Sequence, residues 1–217
     1  MSRQPRMDKS MTKDRKLTYF IAATIDGFIA GPGRGDPAGP SAFWPLTHDY
    51  IQFLATQYPE TLPAPARDAL GIAGSGNRFD TVLEGRRSYE LGIAAGTSDA
   101  YPHLRHLVFS RTLESLPNPS VELVRRDPVE RVRSLKQEAG KGIWIIGGGS
   151  LASSLRSEID ELIVKLGPIT IGSGVPLWGT EARFKLDKWR RTDVVSLPDG
   201  TTVLSFQRTN GSSSLDR

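Results

Sequence analysis

The 217-residue chain contains no cysteine. That excludes a disulfide framework, a thiolate metal site and a cysteine nucleophile. Histidine is scarce as well: His48, His103 and His106 are the only three, too few and too scattered for a histidine-rich metal centre. No apolar run approaches the length of a membrane span, and no signal-peptide apolar region follows the basic N-terminus. The expectation is a soluble, cytoplasmic protein. Net charge is also missing from the body. Arg3, Arg6, Lys9, Lys13, Arg15 and Lys16 against Asp8 and Asp14 account for the whole formal +4. Residues 1–16 therefore read as a disordered basic tail, and the absence of a basic stripe beyond them argues against a nucleic-acid surface. All three methionines, Met1, Met7 and Met11, lie in that tail, so Met7 or Met11 is an alternative start of translation. With 38% hydrophobic and 24% charged residues, the remainder is long enough for one globular domain with a real core.

The most informative stretch runs from Ile143 to Leu155, I-W-I-I-G-G-G-S-L-A-S-S-L. Four large apolar residues suit a strand buried on both faces of a parallel sheet. Gly147, Gly148 and Gly149 follow at once, and Leu151, Leu155 and Ile159 then recur at roughly helical spacing. The pattern is strand, glycine turn, helix. Glycines let a backbone approach a ligand closely, and the free N–H groups of a helix start favour an anion such as a pyrophosphate. A tight strand-to-helix turn without a ligand is the alternative.

Further strands are expected at Leu17–Ala23, Thr81–Leu83, Leu104–Ser110, Val121–Val124 and Glu161–Leu166. Helices are expected from Leu46 to Tyr58, from Gly85 onward, and from an Asp127 N-cap with Pro128 at N1 through Ala139. Gly31–Pro40, residues 59–77 and Gly172–Pro176 read as loops, the second with a helical turn near Ala66–Leu70. Phe184–Ser196 and Thr201–Gln207 read as an antiparallel hairpin around Leu197-Pro198-Asp199-Gly200, and residues 209–217 as a polar tail. The class is α/β, with a mostly parallel twisted sheet flanked by helices and a C-terminal antiparallel hairpin. Gly85-Arg86-Arg87-Ser88 is a second glycine-led helix start, carrying two arginines that either meet an anion or form a solvated face.

Four short motifs occur in order: V-L-E-G-R-R-S-Y-E (Val82–Glu90), H-L-V-F-S-R (His106–Arg111), I-I-G-G-G-S-L (Ile145–Leu151) and I-T-I-G-S-G-V-P-L-W (Ile169–Trp178). With A-A-T-I-D-G-F-I-A-G (Ala22–Gly31), the chain resembles the dihydrofolate reductase superfamily. It is most similar to the branch containing the reductase domain of the bifunctional riboflavin-biosynthesis deaminase-reductase and its stand-alone relatives. The resemblance covers roughly residues 17–208 and implies a dihydrofolate reductase-like fold that binds NADPH. By position it places Gly85, Arg86, Arg87 and Ser88 at the pyrophosphate and adenosine end, and Ser110 and Arg111 beside the adenine ribose. Gly147, Gly148, Gly149, Ser150 and Leu151 would cradle the pyrophosphate and ribose, with Ala23 and the turn ending at Ile29 near the nicotinamide. On the substrate side it implies a carboxylate at Asp49; a favourable helix-start charge is the alternative. Lys165, midway in an apolar strand, either ends in the cleft on a substrate oxygen or sits at an amphipathic edge with a solvated amine. The implied function is reduction of a small polar heterocyclic or carbonyl substrate, a riboflavin-pathway pyrimidine among the candidates. Dihydrofolate reduction and a non-catalytic nucleotide-binding role are the alternatives. The missing cysteines rule out a zinc-deaminase motif within these residues. The resemblance also implies a homodimer, to which Trp178 and Trp189 lend weak support as aromatics near the hairpin.

Overall fold

A computed structural model describes residues 15–39 and 43–209. Most of the basic tail, Pro40 of the first glycine–proline loop and most of the polar C-terminal tail lie outside the described residues. In chain order the elements are β1 (Leu17–Thr24), β2 (Phe28–Ala30), α1 (His48–Gln57), α2 (Ala64–Ala69), β3 (Phe79–Gly85), α3 (Arg86–Ala94), β4 (Arg105–Phe109), β5 (Glu122–Val124), α4 (Pro128–Gln137), β6 (Gly142–Gly147), α5 (Gly149–Ser154), β7 (Glu161–Gly167), β8 (Val175–Pro176), β9 (Trp189–Ser196) and β10 (Thr202–Arg208).

Eight strands form one sheet in the order β5-β4-β3-β6-β1-β7-β10-β9. Every pairing is parallel except those of β10, which runs antiparallel to both β7 and β9. β1 is central because both of its faces are apolar. Leu17 and Tyr19 feed one core, with Ile21 packed against it, while Phe20 feeds the other. The first core takes Val132 and Leu135 of α4 and Leu151 and Ala152 of α5. The second takes Tyr50 and Leu54 of α1, together with Phe79, Trp144 and Ile163. Tyr89 of α3 packs on Val108 and Val121 in a smaller cluster. Helices thus cover both sheet faces, as an all-parallel centre requires.

Several elements depart from the sequence expectation. β9 begins at Trp189 rather than Phe184, and Phe184 is fully exposed. The cause is Arg156, whose guanidinium takes the Arg183 and Lys185 carbonyls and the Asp187 carboxylate, drawing this segment away from β10. Arg208 holds the other oxygen of Asp187 at 2.7 Å. Val175–Pro176, expected as loop, pairs antiparallel with β2 in a separate two-stranded sheet. Helix α4 stops at Gln137, and Asp127 occupies its N-cap position with φ 48° and no side-chain cap bond. Trp178 and Trp189 both pack against the first core, under Arg156 and Arg208 respectively.

Residues 59–77 form a clamp. Glu60 is wholly buried, and one carboxylate oxygen accepts the backbone N–H groups of Arg78 and Phe79 at 2.8 Å each. Buried Arg67 donates to the carbonyls of Pro59 and Gly74. Arg15 and Lys16, counted with the tail by charge, are held to the body. Arg15 pairs with Asp80 and donates to Thr81 Oγ1 at 2.7 Å, and Lys16 reaches Glu161 at 2.7 Å.

A third buried polar group sits behind α3. His106 of β4 lies between Glu84 of β3 at 3.0 Å and Asp99 at 2.9 Å, with the Tyr89 and Tyr101 rings edge-on to it. Burial opposes charging of the imidazole, but the hydrogen bonds and charges of Glu84 and Asp99 outweigh it and raise the His106 pKa. A raised folded-state pKa contributes stability below the unfolded value of about 6.5, and that contribution is lost as pH rises through the folded pKa. Lys165, whose folded pKa is depressed, drives stability the opposite way, so the comparison must be between proteins that both retain it. His106→Gln should cost about 1.5–3 kcal/mol at pH 6. The gap in melting temperature from the unaltered protein should narrow as pH rises; a gap independent of pH between 6 and 9 contradicts a charged His106.

Candidate active site

Parallel strands bring their carboxyl ends to one edge of the sheet, where open α/β folds bind ligands. Here the edge carries a cleft of about 830 Å³, in the upper part of the roughly 300–1,000 Å³ range of small-molecule and cofactor sites. Its walls include Ile21 of β1, Gly85 of β3, Phe109 and Ser110 of β4, Val124 of β5, and Ile146 and Gly147 of β6.

Of the residues singled out from the sequence, Ile29, Gly85, Arg86, Arg87, Ser88, Ser110, Arg111, Gly147, Gly148, Gly149, Ser150 and Leu151 all line this one cleft. Ala23 does not; it is buried in the first core, and Ile21, two residues earlier on the same face of β1, lines the cleft instead. Asp49 and Lys165 are not among the residues that line it; they are on the side of the sheet covered by α1. Asp49 is in the first turn of α1, partly exposed, next to buried Tyr50. Lys165 is neither in the cleft nor at an edge with a solvated amine. β7 is an interior strand, flanked by β1 and β10, so the side chain is buried, with Nζ 3.7 Å from the Phe20 ring centroid.

The two glycine-led helix starts face each other. Neither α3 nor α5 has a side-chain hydrogen bond at its N-cap, whereas α1 is capped by Thr47. The first N–H groups of α3 and α5 thus remain available at the cleft. The glycines serve different ends. A Cβ on Gly149 would lie 2.3 Å from the Gly179 nitrogen, so this glycine admits the turn after β8. A Cβ on Gly148 would meet nothing within 4 Å. Gly85 and Gly147 are close neighbours, with the Gly147 carbonyl 3.7 Å from a Cβ built on Gly85. The plain structural reading of the glycine run holds for Gly149, while Gly148 leaves backbone open toward the cleft.

Charge in the lining is almost all of one sign. Arg34, Arg86, Arg87, Arg111, Arg125 and Arg126 face Asp127 alone. Arg86 is engaged by Glu90 and Thr112, both at 2.6 Å. Among the described residues no carboxylate lies within 4 Å of the other five guanidinium groups. The sequence reading missed Arg34, Arg125 and Arg126. Arg125 and Arg126 follow β5 directly, as Arg86 and Arg87 follow β3, and that repeated strand–arginine pair was the available signal. No group of three or more metal-ligating side chains occurs among the described residues, and no helix there is long and apolar enough to cross a membrane.

The RibD C-terminal domain model matches residues 91–203. The chain belongs to the RibD C-terminal domain family. Among its relatives are two uncharacterized Bacillus subtilis proteins. YwjB is 34% identical over 178 residues, 76% of this chain and 83% of that protein. YyaP is 27% identical over 180 residues, 76% of this chain and 81% of that protein. The fold is dihydrofolate reductase-like and matches that of a Shewanella sp. PV-4 protein assigned to riboflavin biosynthesis, with TM-score 0.62, 21% identity and coverage of 89% of this chain and 99% of the other. It also matches a Thermotoga maritima diaminohydroxyphosphoribosylaminopyrimidine deaminase/5-amino-6-(5-phosphoribosylamino)uracil reductase, with TM-score 0.60 and 17% identity. That match takes in 91% of this chain but spans only 57% of the bifunctional protein.

The glycine contacts separate two substitutions. Gly149→Ala should cost about 1–3 kcal/mol, because two backbones must part. Gly148→Ala should stay within about 0.5 kcal/mol of the parent and act on ligand binding instead. Thermal melts of both variants decide the matter; equal destabilisation would mean that Gly148 also serves packing.

Proposed function

We propose that this RibD-family chain is an NADPH-dependent reductase of a small polar heterocyclic or carbonyl substrate, a pyrimidine of the riboflavin pathway being the leading candidate. The observation that carries the reading is the cleft itself: two uncapped helix starts facing each other, set among guanidinium groups of which all but Arg86 have no carboxylate of their own. A buried or half-buried N–H without a partner is costly, and a pyrophosphate supplies one at each helix start. Unpaired arginines suit a second phosphate, since the planar fork holds its oxygens bidentately. The bound dinucleotide would supply a hydride. The chain's own residues do the rest. Gly148 and Ser150 present backbone to the pyrophosphate, Arg87 and Arg111 take the phosphorylated ribose, and Ile21, Ile29 and Ile146 keep water from the nicotinamide end. Asp49 accepts an N–H of the heterocycle and helps deliver a proton. The pyrimidine assignment draws on the uracil reductase activity named for the Thermotoga protein of the same fold.

Cofactor selectivity tests the phosphate reading. NADPH should bind more tightly than NADH by about 1.5–3 kcal/mol if one charge-assisted contact decides it, or roughly tenfold to a hundredfold. Arg111→Ala should erase most of that preference while barely changing NADH binding. Equal affinity of the unaltered protein for the two cofactors, measured by nicotinamide fluorescence, sinks the assignment. The substrate half has its own test, using the ribosylaminouracil phosphate substrate. Asp49→Asn should lower turnover by roughly 10²–10⁴-fold, the range of lost acid–base help, with NADPH affinity unchanged. Turnover that survives the substitution would leave Asp49 only its favourable place at the start of α1.

A further inference from the structure

On the opposite side of the sheet from α4 and α5, two buried residues carry donors that lack acceptors: the Trp44 indole N–H, itself buried, and the Lys165 ammonium, whose tip keeps a little accessible surface. Lys165 is 8% exposed and Trp44 6% exposed. Among the described residues, no carboxylate lies within 4 Å of Lys165 Nζ and no hydrogen bond to it is formed. Trp44 Nε1 is one of only two buried side-chain polar atoms among the described residues without a partner; the other, Glu60 Oε2, lies against Gly76. The two donors share one face of β7. Lys165 and Gly167 are two residues apart and point the same way, and the Trp44 indole lies directly over Gly167, where a Cβ would come within 2.6 Å of it. Phe20 forms the floor beneath the ammonium, and the Tyr50 ring stands edge-on to Trp44.

An ammonium without a counter-ion is costly to enclose, and the indole N–H adds to the cost, since the Tyr50 hydroxyl lies beside it without forming a hydrogen bond. The Phe20 ring returns part of it through its negative face. Ile146 of β6 both lines the cleft and packs against this cluster, and Ala22, the register neighbour of Lys165, is partly exposed, so the site adjoins the cleft. Burial lowers the Lys165 pKa to about 7, so a facing anionic oxygen would hold the amine in its charged form.

We infer that Lys165 Nζ and Trp44 Nε1 form an acceptor site for an anionic oxygen on a planar heterocycle, an enolate or deprotonated imide, seated between the Phe20 and Trp44 rings. The inference rests on the reductase reading for its place beside the cofactor, yet it is tested without turnover. Barbiturate serves as the anionic probe and uracil as the neutral one. Binding to the full chain is followed by calorimetry with and without NADPH, and NADPH affinity is read separately by fluorescence. Barbiturate should bind the unaltered protein more tightly than uracil does. Lys165→Met should weaken barbiturate at least tenfold, and Trp44→Phe severalfold, with NADPH affinity unchanged in both. Lys165→Met should also raise the melting temperature, since a thioether replaces a buried charge of similar length; a Lys165 needed only for packing would give no gain. Barbiturate binding that is absent from the unaltered protein, or equal in Lys165→Met, overturns the inference. Failure of NADPH to bind, with barbiturate still dependent on Lys165, removes the cofactor reading and leaves this site standing.

Discussion

The burial of β1 on both faces is the constraint from which the rest follows. A strand apolar on both sides must lie inside a sheet and beneath helices on either side. Pairing with β6 on one flank and β7 on the other places those strands parallel to it. Parallel strands need long crossovers, and these supply α1 to α5. Their carboxyl ends then fall on one edge, where the glycine turns after β3 and β6 meet. The cleft is thus a consequence of strand direction, and its residues are those the chain must pass through on leaving the sheet.

Much of this was legible in the sequence, for identifiable reasons. Apolar runs located β1, β6 and β7, because strands buried on both faces leave no polar register to confuse them. The glycine–arginine and triple-glycine turns identified the cleft's two main walls, since glycine after a strand and before a helix carries a backbone meaning. Position relative to other strands was harder to read. Lys165 looks amphipathic on its own strand; only the later return of β10 beside β7 puts it inside the protein. The β9 start was misplaced because Phe184, Leu186 and Val195 suggest a strand, while the Asp187 carboxylate, held by two arginines from elsewhere, fixes the segment otherwise. Arg34 was missed because it lies in a loop whose apolar periodicity is nil. In residues 59–77 the helical turn was legible and is α2, but the buried carboxylate and buried guanidinium that order the segment were not, because pattern alone does not pair them.

Polar groups inside this protein divide into satisfied and unsatisfied kinds, and the division follows the sheet. Arg67, Glu84, His106, Asp187 and one oxygen of Glu60 each have partners close at hand. They join separate segments: the clamp to β3, β4 to β3, and the segment before β9 to β10. Lys165 and Trp44 sit close to the cleft and are left without them. Low dielectric surroundings make a paired network rigid and an unpaired group expensive, so the same physics that fastens one part of the protein makes another receptive.

The two edges of the sheet also differ in their electrical character. At the amino ends, charges are matched: Arg15 with Asp80, Lys16 and Arg78 with Glu161, Arg105 and Arg131 with Glu122, and Lys136 with Asp160. At the carboxyl ends the arginines stand largely alone. The unmatched positive charge among these groups therefore gathers at the mouth of the cleft. Low-dielectric walls concentrate such a field, and an anion drifting past is drawn toward one end and oriented before it touches anything. Because that attraction acts over distances comparable with the screening length of about 8 Å at physiological salt, capture is the property most exposed to the ionic strength of the surroundings, while the matched pairs at the far edge hold their geometry.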